Sequence, residues 1–468
     1  MNRRNFLTQT VIGTTGASVA SSAFASLLIS CSDKNRIITM ALLGCNEKGI
    51  EFVNNIKDIE NVVLKYIFDF DDQRIQKAAN ILGPVLGYTP VTAQDMNIVF
   101  NDKEVDGVFI FLPEHWRAQS TILACDARKD VYVDSLPAHT IWEGQQMVKT
   151  AHKYKRIVQC GFPLRNSPGA LSAKEFISGG NLGQVVHVRV FGLRERNEVN
   201  IKQHTSDQEI LKYGNNKDET EPQLIDKIPE SLDWEGWLGT VPYRSFHIDI
   251  YKPEISDNCK TYWDFNSGLM TGTIYGLDIA RMVTGDPGHP ASVYGYGRGT
   301  GWQNESGITE RQIVTYDYKY FTMVCESGNG YNYMKRTALP FRKKGELISL
   351  NWLSHPERVE IYGTSGLMYI DTIMGSWQVI GNKGDIIAEK AGIDPDKLHM
   401  QNFIDCIRNR ELPGSNINQG HLSTTLTHLG NIACRVGNKQ LIFNSGGETF
   451  ENNEDANALI GRKFSDSI

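Results

Sequence analysis

The sequence predicts an α/β protein, with an N-terminal domain built on a parallel sheet and a C-terminal α+β domain with a large, mostly antiparallel open sheet. Three observations carry this. Apolar strand-like runs alternate with helical stretches through the first third of the chain, the first run enters a glycine-bearing turn, and from Val185 onward the pattern changes to period-two alternation. At 468 residues, 40% hydrophobic and 22% charged, the chain is long enough to bury two cores of ordinary domain size.

The chain opens MNRRNFLTQTVIGTTGASVASSAFASLLISCS, with Arg3 and Arg4 ahead of an apolar stretch and no acidic residue before Asp33. Residues 1–31 therefore read as a twin-arginine targeting segment that stands outside the fold. Leu28, Ile29 and Ser30 lead into Cys31 in a pattern that resembles the lipobox of bacterial lipoproteins, whose cysteine is acylated and becomes the new amino terminus. The expectation is an exported, periplasmic protein that meets the membrane only through a lipid anchor on Cys31. A plain secretory signal with a chance cysteine is the alternative.

A net charge of −6 without a basic stripe argues against nucleic acid as a partner. No other apolar run reaches the ~18 to 20 residues that a membrane span needs. Of the eight cysteines, seven remain once Cys31 is acylated, so at least one stays free or pairs between chains. Cys45 and Cys160 lie in or beside strand-like runs, Cys406 and Cys434 lie on predicted helices, and no CxxC or Cys/His cluster has metal-ligand spacing. No metal site is expected.

Ile37 to Leu43 is a continuous apolar run, as a parallel strand buried on both faces requires, and it leads into GCNEKG at Gly44 to Gly49. The turn follows the G-x-G-x-x-G fingerprint except that Asn46 takes the second glycine place. The first glycine permits the tight turn, the second lets backbone approach a pyrophosphate, and the third lets helix and strand pack closely. Asn tolerates positive φ better than other non-glycine residues, so the turn is expected to survive. Val62 to Phe68 reads as the second strand, and Asp69 follows it 20 residues beyond Gly49, where a carboxylate bonds the adenosine ribose hydroxyls. These features predict a Rossmann dinucleotide-binding domain over residues 36–160. An acid at 69 favours NAD, and Arg74 nearby keeps NADP open. An exported enzyme must fold around a nucleotide made in the cytoplasm and then retain it, so the cofactor is expected to be tightly held.

A further strand at Val108 to Leu112 enters LPEHWRA, and the chain continues through VYVDSLPAHT, GFPLRNSPG, PESLDWEGWLGTVPYRSF and NSGLMTGTIYGLDIARMVTG. These segments resemble the Gfo/Idh/MocA family of sugar oxidoreductases, and the similarity runs nearly to the carboxyl terminus. The resemblance places Pro113 and His115 near the nicotinamide ribose, Asp134 at the cofactor, and Arg165 at the entrance of the substrate cleft. It puts Ser135 where the family usually has a lysine and Tyr275 where it usually has a histidine, with Asp278 three places later. In dehydrogenases of this type that lysine and histidine together withdraw a proton from a sugar hydroxyl while hydride leaves for the nicotinamide. Ser135 has no basicity of its own, so Tyr275 is the first candidate for proton acceptor, with His115 and Asp278 as the others. Tyr275 and Asp278 also suit purely structural roles. Trp234 and Trp237 read as packing at the domain junction, with Trp237 also a candidate for lining the sugar site. Arg117 reads as a surface helix residue.

Residues 161–468 are assigned to the substrate domain. VVHVRVFGL, ASVYGYGRG, RQIVTYDYKY, FTMVCESG, ELISLNWL and RVEIYGTSGLMYIDTI alternate as strands of a sheet with one solvated face. In the family this sheet carries substrate and its open face joins subunits, which implies a homo-oligomer. Asn197 to Lys227 is polar and reads as a loop insertion. KLHMQNFIDCIRNREL and QGHLSTTLTHLGNIACRVGN show helical spacing, with Gly437 as stop signal and with His421 and His428 read as structural.

The resulting expectation is an NAD(P)-dependent oxidoreductase acting by hydride transfer on a small carbohydrate. Two alternatives stay open. One is an NAD-dependent glycosidase working by oxidation, elimination and reduction, a chemistry that some relatives resembling this chain use. The other is a sugar-binding protein that kept the fold and lost the chemistry.

Overall fold

The computed structural model describes residues 36–195, 227–251, 262–298, 311–330, 357–437 and 439–462. The twin arginine, Cys31, the insertion up to residue 226 and the expected strand ELISLNWL lie outside the described residues.

Strands β1 (Ile38–Leu43), β2 (Val62–Phe68), β3 (Val91–Thr92), β4 (Gly107–Ile110), β5 (Asp130–Val133) and β6 (Val158–Cys160) form one parallel sheet in the order β3-β2-β1-β4-β5-β6. The order reverses between β1 and β4, and ligands of open α/β sheets bind at the carboxyl ends of strands at such a switch point. The run through β1 is apolar except at the half-buried Thr39 because both faces are covered. Ala41 and Leu43 face a core shared with Val108, Ile110 and Trp116, while Ile38, Met40 and Leu42 face another shared with Phe109 and Tyr132. Helices α1 (Glu47–Asn54), α2 (Asp72–Leu86), α3 (Met96–Asn101), α4 (Glu114–Asp126) and α5 (Ile141–Tyr154) supply the covering layers. The strand expected over 108–112 is β4, and Phe111 and Leu112 continue beyond it as buried loop.

After α6 (Pro168–Ser178) the chain enters a ten-stranded sheet. It comprises β7 (Val185–Glu195), β8 (Ser292–Arg298), β9 (Arg311–Asp317), β10 (Thr322–Gly330), β11 (Glu357–Gly363), β12 (Gly366–Asp371), β13 (Trp377–Gly381), β14 (Ile386–Lys390), β15 (Gln440–Asn444) and β16 (Thr449–Phe450). The order is β14-β13-β12-β11-β7-β10-β9-β8-β15-β16, antiparallel except where β7 meets β10. One face is covered by α9 (Ile274–Val283) and α11 (Ile417–Val436), which bury Val188, Val190, Val314 and Tyr316 among Leu277, Leu426 and Leu429. On the other face Tyr294, Tyr296 and Ile313 are exposed.

Two segments from beyond residue 160 return to the first sheet. Helix α10 (Asp396–Asn409) lays Met400, Phe403 and Ile404 against Phe109 and Tyr132. The stretch holding α7 (Trp234–Leu238) and α8 (Ile248–Tyr251) adds Leu232, Trp234 and Trp237 to the other core. The two sheets are separate, but their hydrophobic cores are not divided at residue 160. Among the described residues no helix is long and apolar enough to cross a membrane.

Candidate active site

The turn after β1 has the conformation its sequence demands. Gly44 lies at φ +99°, and a Cβ there would come within 2.4 Å of the Phe111 carbonyl carbon. At Gly49 a Cβ would lie 2.7 Å from the Gly44 oxygen, so this glycine lets α1 close onto the turn. The expectation of positive φ at Asn46 is corrected. Its φ is −75°, and it caps α1, accepting from the Gly49 amide at 2.8 Å while its amide nitrogen donates to the Phe111 oxygen at 2.7 Å. Asn46 thus secures the turn with its side chain in place of a backbone approach.

Asp69 accepts from the Cys45 amide at 2.8 Å and from the Asp71 amide at 3.2 Å, and burial raises its carboxyl above the ordinary range. It borders a cleft of about 690 Å³ whose walls include Phe70, Met96, Trp116, Asp233 and Gly236. Arg74 stands close by, its guanidinium 4.8 Å from the Tyr251 ring centre. The tight glycine turn, the helix start behind it and a carboxylate at the mouth of an aromatic-walled cleft fit a dinucleotide.

A second polar group forms at the carboxyl end of β5. Asp134 is buried between two cations, with Lys48 Nζ at 2.6 Å and Arg117 Nη2 at 3.0 Å. Burial pushes its carboxyl up, but the two cations outweigh burial and hold it below the ordinary range. Tyr275, at the start of α9, places its hydroxyl 2.8 Å from Ser135 Oγ and 2.8 Å from Lys48 Nζ. Burial opposes the charge on Lys48, yet Asp134 and Tyr275 hold its ammonium well above the ordinary lysine range. Leu136, next along, sits at φ +57°, a left-handed conformation that costs a non-glycine residue ~1 to 2 kcal/mol.

Ser135, Asp134 and Tyr275 therefore meet, and the residue that joins them is one the sequence reading passed over. Lys48 lies inside the glycine turn, 87 positions before Ser135. Its only local signal is its sign, since a lysine in the first turn of a helix opposes the helix dipole. Arg117 is corrected as well. It is 14% exposed and bonds the Leu112 and Ser135 carbonyls, so it belongs to the site and not to the surface.

The remaining candidates stand elsewhere. Pro113 caps α4 at the carboxyl edge of β4, and His115 follows it, but the His115 ring is buried and shares a hydrogen bond with the Trp237 carbonyl at 2.8 Å. Burial lowers His115 to about 3, which makes it a poor base, and its Nε2 is committed to the Trp237 carbonyl, so it is corrected from proton acceptor to packing residue. Trp237 is buried and stacked on Trp234 at 4.9 Å, an arrangement that packs the junction of α7 with the first sheet. Arg165 is not at the cleft entrance. It is 5% exposed, and its Nε lies 2.9 and 3.0 Å from the two carboxylate oxygens of Asp278. Asp278 also accepts from Ser423 at 2.6 Å. Both are thereby committed to a buried ion pair that ties α9 to the segment before α6.

His428 bonds the Ala138 carbonyl at 3.0 Å, and His421 meets Glu448, whose carboxylate also takes His289 at 2.7 Å. These last three side chains have the chemistry to ligate a metal. A carboxylate between two imidazoles is already satisfied by hydrogen bonds, so no ion is assigned. Among the described residues the six cysteines are all unpaired.

Residues 363–466 match the family model described as the oxidoreductase family, C-terminal alpha/beta domain, of Gfo/Idh/MocA type. Inositol 2-dehydrogenase of Salmonella paratyphi B is 26% identical over 210 residues, 42% of this chain and 56% of that protein. A glycosyl hydrolase family 109 protein of Shewanella baltica is 23% identical over 205 residues, 40% of this chain and 45% of its own length. The chain thus matches about half the length of these curated relatives. Among solved structures, the WlbA dehydrogenase from Bordetella pertussis, in complex with NADH and UDP-GlcNAcA, superposes with TM-score 0.57 at 14% identity, covering 87% of this chain and 98% of that one. The chain is thus similar to Gfo/Idh/MocA-type proteins in its C-terminal domain, and it shares the fold of the solved structures.

Proposed function

We propose that this protein is an NAD(P)-dependent oxidoreductase that oxidises and reduces a CH–OH group of a sugar or sugar derivative on a retained cofactor. One observation carries the reading: Asp69 and the Gly44–Gly49 turn form a dinucleotide cradle at the same sheet edge where Tyr275, Ser135 and Asp134 gather. The α1 amino terminus would take the pyrophosphate and Asp69 the ribose hydroxyls, which favours NAD over NADP. The nicotinamide, when bound, supplies a hydride acceptor. Tyr275 offers the oxygen that receives a substrate proton, and Ser135 orients it. Relatives named inositol 2-dehydrogenase agree with a polyol or sugar substrate.

A second reading is favoured by the relatives named glycosyl hydrolase family 109 proteins. The same site would then oxidise a ring carbon, eliminate the glycosidic oxygen and reduce again, with no net redox change. We further propose twin-arginine export and lipidation at Cys31, and a homo-oligomer joined through the open sheet face that bears Tyr294, Tyr296 and Ile313.

The test is to purify the exported protein without added nucleotide, denature it, and identify what is released, after recording whether a glycoside panel reduces that cofactor. Stoichiometric NAD with substrate-dependent reduction supports the oxidoreductase. Aglycone released from a nitrophenyl glycoside without net NADH supports the glycosidase. A protein that neither holds nor binds NAD(H) would sink both and leave a binding module.

A further inference from the structure

Lys48 has the wrong sign for its place. It stands in the first turn of α1, where the helix dipole favours anions, and its ammonium reaches across the sheet edge to Asp134 and Tyr275. The strained Leu136 sits beside that contact, as strain does at sites that must hold a fixed geometry. Position 135, where the family resemblance places a lysine, is a serine whose hydroxyl lies 3.4 Å from Lys48 Nζ. The cation missing from the end of β5 is therefore present, supplied from the nucleotide turn.

We propose that Lys48 does the electrostatic work of the lysine absent from position 135, holding Tyr275 as the proton acceptor for a carbohydrate hydroxyl. The inference rests on the oxidoreductase reading above. Lys48 donates to the Tyr275 oxygen, and in the proposed relay the Tyr275 hydroxyl donates to Ser135 Oγ at 2.8 Å and the Ser135 hydroxyl to Asp134 Oδ1 at 3.5 Å. As the substrate O–H proton moves to the Tyr275 oxygen, the Tyr275 proton moves to Ser135 and the Ser135 proton to Asp134. The nicotinamide, when bound, would take the C–H electron pair as hydride, and the substrate carbon–oxygen bond would become a carbonyl. Asp134, held acidic by Lys48 and Arg117, passes the proton on to water. When the Tyr275 proton leaves toward Ser135 ahead of the arrival of the substrate proton, the transient negative charge on the Tyr275 oxygen lies against the Lys48 ammonium. Lys48 acts through Tyr275 and is a positioning residue. Asp134 from β5, Arg117 from α4, Glu51 from α1 and Asp396 from α10 are the other charged groups around it, and Tyr132 is the remaining ionisable neighbour of Tyr275.

The experiment uses the full-length protein as wild type, Lys48→Met, Lys48→Arg and the double variant Lys48→Met/Ser135→Lys. Bound NAD and its affinity are measured by fluorescence, and reduction of the bound nucleotide by methyl glycopyranosides is followed at 340 nm from pH 6 to pH 10. In Lys48→Met the expected result is near-normal NAD affinity, reduction slowed ~10²- to 10⁴-fold, and a rate that keeps rising to higher pH than in wild type. Lys48→Arg retains most of the rate, and Ser135→Lys restores at least ~10-fold of what Lys48→Met lost. Lost NAD affinity with a normal rate at saturation would make Lys48 a phosphate ligand and overturn the proposal, as would full reduction in Lys48→Met. A wild type that binds no dinucleotide, or reduces none with any glycoside, removes the oxidoreductase reading itself.

Discussion

Arg165 grips Asp278 from beneath the site, with Nε 2.9 and 3.0 Å from the two carboxylate oxygens, and its Nη1 reaches Asp286 at 2.9 Å. Asp278 is three residues from Tyr275 on α9, so this pair fixes the helix that presents the phenol. Removing Asp278 leaves the buried Arg165 with only the less buried Asp286 to offset its charge. Asp278→Ala should therefore cost about 3 to 5 kcal/mol in unfolding free energy, measured by urea titration. The fraction that remains folded should show an unaltered pH dependence of nucleotide reduction. A shifted pH profile with unchanged stability would return Asp278 to the list of proton acceptors.

Asn46 replaces the glycine that usually lets backbone approach a pyrophosphate, and its side chain holds both the α1 amino terminus and the Phe111 carbonyl. Asn46→Ala should lower stability by about 1 kcal/mol, while Asn46→Gly should lower it by only a few tenths, as at other helix caps. Thermal melts of the three proteins without nucleotide decide this. Equal losses for Ala and Gly would mean that the Phe111 contact, not the cap, dominates.

Local features were legible in the sequence because local forces set them. The β1 run, Gly44, Gly49 and the distance to Asp69 follow from burial on two faces and from turn geometry, and α11 ends at Gly437 as its pattern indicates. β3 was missed because two exposed residues carry no periodicity. The parallel β7–β10 pairing and the return of α10 to the first sheet depend on contacts far apart in the chain, which no window of residues contains. The same holds for the site. Ser135 and Tyr275 were found through a family resemblance, whereas Lys48 emerges only when the fold brings α1 beside β5. His115 looked functional on its turn, and the α7 segment that buries it lies over a hundred residues away.

On the proposed oxidoreductase reading, Asp69 would set the nucleotide preference, its carboxylate bonding the ribose hydroxyls and repelling a 2′-phosphate. In Asp69→Ser that repulsion is gone and Arg74 remains nearby, so NAD should bind about tenfold or more weaker, with NADP gaining relative to it. The scale is that of one lost charge-assisted hydrogen bond, ~1.5 to 3 kcal/mol. Fluorescence titration with each nucleotide measures the ratio. An unchanged ratio would show that Asp69 serves only the turn, through the Cys45 and Asp71 amides.

Three buried histidines make stability fall on mild acidification. Burial lowers His115 to about 3, His399 to about 3 and His428 to about 4. In the unfolded chain each takes a proton near ~6.5. Between those values the unfolded state binds more protons than the folded one, so stability rises with pH through this window. It is complete above the unfolded value and is lost progressively as pH drops toward the folded values. The slope is on the order of 1 kcal/mol per pH unit for each histidine once pH is below ~6. Urea midpoints should therefore drop between pH 7 and pH 5, before most carboxylates titrate. His428→Gln, which keeps a donor for the Ala138 carbonyl, should remove about a third of that dependence. A midpoint that stays level over this range would mean that these imidazoles are protonated inside the fold. His115 would then regain a place among the acids and bases of the site.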